Sequence, residues 1–83
     1  MSKPPTAAPA EIANRIFAGE NPVRVFRKWR GLTARVLAQK SGISVRHLSD
    51  IENGRRAPSH EARARLAAAL DIEAEDIEPA NMD

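Results

Sequence analysis

The chain has 83 residues, enough for one domain with a small core. It has no cysteine, which excludes disulfides and thiolate metal sites and fits a reducing cytoplasm; no apolar run approaches a membrane span, and no signal-peptide pattern opens the chain. The net charge of +2 hides an asymmetry: residues 24–65 carry eleven Lys/Arg against three Asp/Glu, a net +8, and residues 71–83 carry six acids and no base. Residues 1–9 hold three prolines and little to bury, so they read as a disordered arm. Pro9 or Ala10 opens a short helix through Ala18, with Ile12, Ile16 and Phe17 at i, i+4, i+5 as its apolar face and Gly19 as its stop. Such a helix is too short to stand alone and must dock on the domain or on a partner. Asn21-Pro22 starts the next helix: Asn caps, and Pro takes the first helical position with φ already set. Val23 and Phe26 face inward, Arg24, Arg27, Lys28 and Arg30 fill much of the rest, Trp29 covers an edge, and Gly31 ends it.

Residues 33–54 are the organising stretch. Thr33 caps a helix with Leu37 and Ala38 on its apolar stripe. Gly42 takes φ > 0 and stops it, and Ser44 caps a second helix with Leu48 and Ile51 inward, ending at Asn53-Gly54. Helix, glycine turn, helix is the helix-turn-helix plan, whose second helix enters the DNA major groove. The basic middle of the chain coincides with this unit, as in a polyanion binder, although an Arg-rich solvated face has the same composition. Arg55-Arg56-Ala57-Pro58 reads as a loop, and Ser59 caps a helix to about Leu70 with Ala62, Leu66, Ala69 and Leu70 inward. A last turn from Ala74 to Ile77 closes the domain, with Ile72 and Ile77 under the core and Pro79 ending regular structure. The fold class is all-α, with five principal helices and one short N-terminal helix.

Catalysis does not fit. His47, Ser49 and Asp50 lie two or three apart on one helix and cannot align as nucleophile, base and orienter. His47 and His60, without cysteine, form no recognisable metal site, and no Gly-rich phosphate loop is present. No enzyme activity, cofactor or metal is expected.

Seven pieces stand in register: Gly31-Leu32-Thr33, Leu37-Ala38, Gly42-Ile43-Ser44, Leu48-Ser49, Ile51-Glu52-Asn53-Gly54, Pro58-Ser59 and Leu66-Ala67. With them the chain resembles the Xre/Cro–C1 repressor family over residues 21–78. The resemblance implies a compact lambda-repressor-like bundle of five helices that binds operator DNA as a dimer. It places Val45, Arg46 and Asp50 where base edges are read, with His47 and Ser49 flanking them. Arg46 can bond guanine O6 and N7 bidentately, and Val45 can touch a thymine methyl. Asp50 can accept from a cytosine N4 amine or orient Arg46 instead. Thr33, Ser44 and Asn53 fall at helix ends that meet phosphates, and Arg55 and Arg56 add backbone charge. Arg27 and Glu52 form a structural pair inside the domain. Against the family pattern, Ala34 stands where glutamine is common, with Arg35 as its replacement. Val45 replaces a polar residue, His60 and Arg63 replace aliphatics, and Asp71 replaces a glycine stop. These replacements at 60 and 63 imply either a rotated helix or side chains that snorkel outward.

The expected organisation is a disordered arm (1–9), a short helix and linker (10–20), the DNA-binding domain (21–78) and a frayed acidic tail (79–83). The expected function is a cytoplasmic, nucleoid-associated regulator of bacterial or phage origin, a repressor reading the major groove with residues 45–53. Its expected partners are double-stranded DNA and a second copy of itself, with no membrane. Residues 11–22 also look like antitoxins that carry this domain, which implies a toxin as partner and autoregulation of an operon. A third reading uses the fold for protein contacts through the acidic 71–83 segment.

Overall fold

The computed structural model describes residues 10–77. It has six helices: α1 (Ala10–Phe17), α2 (Pro22–Trp29), α3 (Ala34–Ser41), α4 (Val45–Glu52), α5 (His60–Leu70) and α6 (Ala74–Ile77). Five of them, α2 to α6, make the bundle, and α1 is the added N-terminal helix. The expected arm (1–9) and tail (79–83) lie outside the described residues.

Side chains predicted to start helices do so. Asn21, Thr33, Ser44 and Ser59 each accept a hydrogen bond from the backbone N–H three residues on, at 3.1, 3.1, 2.9 and 3.0 Å. Each satisfies a donor that the helix itself cannot pair. At the α3–α4 turn Gly42 adopts φ +78, a left-handed conformation that any L side chain would strain to reach. Asp71 takes the same role after α5, with φ +61. Its short polar side chain makes it one of the few non-glycine residues suited to this region. The stop that glycine usually supplies is therefore present without glycine.

Leu37, Leu48, Ile51, Leu66, Leu70 and Val23 are almost wholly buried, and Phe26, Ala38, Ala67 and Ile77 pack around them. The core sits where α2 meets α4, α5 and α6, and where α3 meets α4 and α5. Four details differ from the spacing argument. Val25 is 3% exposed although it lies off the Val23/Phe26 stripe. The stripe faces the bundle, and Val25 turns the other way, beside Ile12 of α1. α2 is thus buried on two sides, which a single-stripe reading misses. Phe17, expected on the docked face of α1, is 91% exposed. Ile12 and Ile16 set that face, and one further step of about 100° carries Phe17 out of it. On α5, Ala67 is buried and Ala69 only partly so. The helix is not rotated: Ala62, Leu66 and Leu70 still point inward, while His60 is exposed and Arg63 half-buried. Of the two alternatives for His60 and Arg63, outward projection is the one observed.

Candidate nucleic-acid interface

The second helix of the motif, α4, is held from its inner side. Leu48 and Ile51 enter the core, and Asn21 Nδ2 donates to the Ile51 carbonyl at 2.9 Å. Glu52, beside them, receives two bonds from one guanidinium: Arg27 Nε to Oε2 at 2.7 Å and Nη2 to Oε1 at 3.0 Å. Arg27 Nη1 donates to the Leu32 carbonyl at 3.0 Å. The pair is 13% and 9% exposed at its side chains. The Glu52 hydrogen bond holds the Arg27 guanidinium above its ordinary pKa, although burial acts against it. A planar fork matching a carboxylate fixes angle as well as distance, so α2 and α4 are locked in one orientation.

With Leu48 and Ile51 inward, the helical period turns Arg46, Ser49, Asp50 and Asn53 outward. Arg46 is exposed in the first turn of α4 and has no hydrogen bond or ion pair among the described residues. Val45 is 50% exposed, and His47 is half-buried beside the α3–α4 turn and the start of α5. Ser49 and Asp50 are half-buried. Thr33 and Ser44, both exposed, use an oxygen lone pair on their caps, which leaves each hydroxyl hydrogen able to donate. Arg35 and Arg56 are exposed, and their side chains have no partner among the described residues.

Two side chains are engaged differently from the expectation. Asp50 does not orient Arg46; its Oδ1 accepts from Arg55 Nε at 3.2 Å. The cause is the turn at Gly54, which brings the Arg55 and Arg56 N–H groups back onto the Asp50 carbonyl at 2.9 and 3.3 Å. The Arg55–Asp50 pair is exposed at 63% and 26%, so a phosphate can displace it at a cost of about 0.2–1 kcal/mol. Asn53 directs its amide group at Ser49, to the carbonyl at 2.9 Å and to Oγ at 3.2 Å. It has to release these bonds to donate to a phosphate.

Arg30 has a role that nothing in the sequence signals. Counted with the positive field, it instead caps α5: Nε donates to the Leu70 carbonyl at 2.8 Å and Nη2 to the Asp71 carbonyl at 2.9 Å. Its guanidinium lies 4.5 Å from the centre of the Trp29 ring, and Trp29 meets Phe26 edge-on at 6.0 Å. Forty residues separate Arg30 from Leu70, so no local spacing signals the contact. Arg30→Ala is expected to lower stability by about 1.5–3 kcal/mol, because two carbonyls at a helix end lose a charged donor. Arg30→Lys should recover only part of it, since an ammonium lacks the planar fork that spans the two oxygens and rests on the Trp29 ring. Urea unfolding followed by circular dichroism checks both.

A family model described as helix-turn-helix matches residues 23–77, from α2 to the end of α6. The chain belongs to the helix-turn-helix family, of the Cro/C1 type. Over 57 residues the chain is 40% identical to YazB of Bacillus subtilis (strain 168), an uncharacterised HTH-type transcriptional regulator. That match covers 69% of this chain and 83% of the relative. The fold is similar to the crystal structure of the restriction-modification controller protein C.AhdI from Aeromonas hydrophila. There the TM-score is 0.67 at 29% identity, over 83% of this chain and 98% of that one. In this helix-turn-helix domain the motif is α3, the Gly42 turn and α4, and Ala38 of α3 is buried. Among the described residues no helix is long and apolar enough to cross a membrane, and no group of three His, Cys, Asp or Glu could hold a metal ion.

Proposed function

We propose that this helix-turn-helix transcriptional regulator is a cytoplasmic repressor that reads operator DNA with α4 as a homodimer. The observation that carries the reading is Arg46: an exposed guanidinium without a partner among the described residues, on the outer face of the second motif helix and in its first turn. Side chains there reach base edges when such a helix enters the major groove. Arg46 is the base reader, aided by Val45, His47, Ser49 and Asp50. Thr33, Ser44, Arg35 and Arg56 hold phosphates, joined by Arg55 and Asn53 once their internal bonds yield. An eight-residue helix spans few base pairs, so two copies on paired half-sites supply the specificity. Repression follows the Cro/C1 resemblance. The antitoxin reading drew on α1, but of its apolar residues Ile12, Ile16 and Phe17, Ile12 is buried within the chain and Ile16 partly so, which leaves Phe17 open to a partner.

Binding to the DNA upstream of the protein's own gene tests the reading. Affinity should fall steeply with salt, by about 0.9 in log–log slope for each phosphate neutralised. A flat salt dependence overturns it. Arg46→Ala should cost about 1–3 kcal/mol on the preferred site and relax the preference at one base pair. Equal losses on all sequences would remove Arg46 from the reading role. Solution mass with and without DNA tests the dimer.

A further inference from the structure

A hollow of about 290 Å³ opens between the N-terminal end of α2, the loop after α4, and α6. Pro22, Val23, Ile51, Ala57, Pro58 and Ile77 give it apolar walls. Its volume lies just below the range for small-molecule pockets, about 300–1,000 Å³. Two arginines, Arg56 and Arg63, also line it, and none of its described lining residues is acidic. The Arg56 side chain has no partner among the described residues, and the Arg63 side chain makes only a long contact, 3.4 Å, to His60 Nδ1. Two arginines beside one apolar hollow, with no acidic residue among its described lining residues, are complementary to an anion with an apolar body. A guanidinium fork matches a carboxylate in particular.

The hollow touches the DNA-reading helix. Ile51 in its wall belongs to the last turn of α4, and Asn21, also in the lining, holds the Ile51 carbonyl. Arg56 is shared between the hollow and the proposed phosphate contacts. From this juxtaposition we propose that the hollow binds a small amphiphilic carboxylate, and that its binding weakens DNA binding. An acid whose carboxylate engages Arg56 removes a positive charge from the DNA face, so acid and DNA oppose each other reciprocally. The site itself stands independently of the repressor reading; only the regulatory half rests on it.

The test uses the full chain, titrated with phenylacetate, indole-3-acetate and 4-methylpentanoate while backbone amide resonances are followed. Phenylacetamide and acetate are the neutral and body-less controls. At least one acid should give saturable shifts centred on Ile51, Gly54 and Ala57, with phenylacetamide binding about tenfold more weakly than phenylacetate. Ala57→Leu, which adds bulk at the wall of the hollow and leaves both arginines in the sequence, should abolish the saturable shifts; an unchanged circular dichroism spectrum shows that it folds. Arg63→Gln should weaken acid binding. No saturable shift below about 10 mM overturns the site, since binding that weak carries under 3 kcal/mol. Acetate or phenylacetamide binding as well as the acids also overturns it, as does an unaffected Ala57→Leu. In the second arm a saturating acid should raise the Kd for operator DNA by at least about threefold in the wild type and not in Ala57→Leu. Acid binding with an unchanged Kd overturns the regulation. A chain that binds acid but no DNA at any salt upholds the site and overturns the repressor reading.

Discussion

Replacing Glu52 by alanine is expected to lower the unfolding free energy by about 3 kcal/mol. Breaking a buried ion pair costs about 3–5 kcal/mol, because the remaining charge is left without compensation. The lower end applies here, since Arg27 keeps its bond to the Leu32 carbonyl and retains some access to solvent. A chain of this length has a total stability on the order of 4–12 kcal/mol, so the loss is a large share of it. Urea unfolding monitored by circular dichroism gives the magnitude. The double variant Arg27→Met/Glu52→Leu should recover most of the loss, because an apolar replacement of both partners strands no charge. The pH dependence has a definite sign. A folded-state pKa raised above the ordinary arginine value gives stability that is complete below that value and lost only above it. Arg27 therefore adds no pH dependence over the working range. The pair also separates framework from reader. Under conditions where Glu52→Ala remains folded, it should bind DNA with unchanged base preference, whereas Arg46→Ala should bind with an altered one.

Leu48→Ala should cost about 2–5 kcal/mol, the range for removing a buried leucine and leaving a cavity. Leu48 is fully buried and belongs to α4 itself. Its loss loosens the element whose outer face carries Arg46, so DNA affinity should fall with the folded fraction. Leu48→Met, which roughly conserves volume, should cost less than about 1.5 kcal/mol. A Leu48→Ala variant as stable as the wild type would mean that α4 is not held by the core. Unfolding midpoints of the two variants, measured side by side, decide this.

The framework of α4 was legible in the sequence because its signals are local. Ser44, Leu48, Ile51 and the Gly54 stop lie within eleven residues, and capping and helical period operate on that scale. The Arg27–Glu52 pair came from the family resemblance rather than from spacing, and the two side chains meet at 2.7 Å. The partners of Asp50 and Asn53 were not legible. A helical rule offers Asp50 a neighbour four residues back, yet the turn at Gly54 returns Arg55 to it instead. Val25 and Phe17 went the opposite way from each other for one reason. Each depends on where α1 docks, and a hydrophobic pattern within a helix does not say which neighbour covers its second side.

By itself, then, the sequence determined the helices, their caps and stops, the inward stripes of α3 and α4 and most of that of α5, and the concentration of positive charge on residues 24–65. All of these follow from contacts within a few residues or from simple counting. Tertiary structure decided which of those charges are free. Arg27 and Arg30 are used on Glu52 and on the end of α5, and Arg55 is partly used on Asp50, while the side chains of Arg35, Arg46 and Arg56 have no partner among the described residues. It also placed Arg56 and Arg63 beside one apolar hollow. The reason is range: a guanidinium reaches whatever oxygen the folded chain brings near it, and that oxygen can belong to a residue forty positions away.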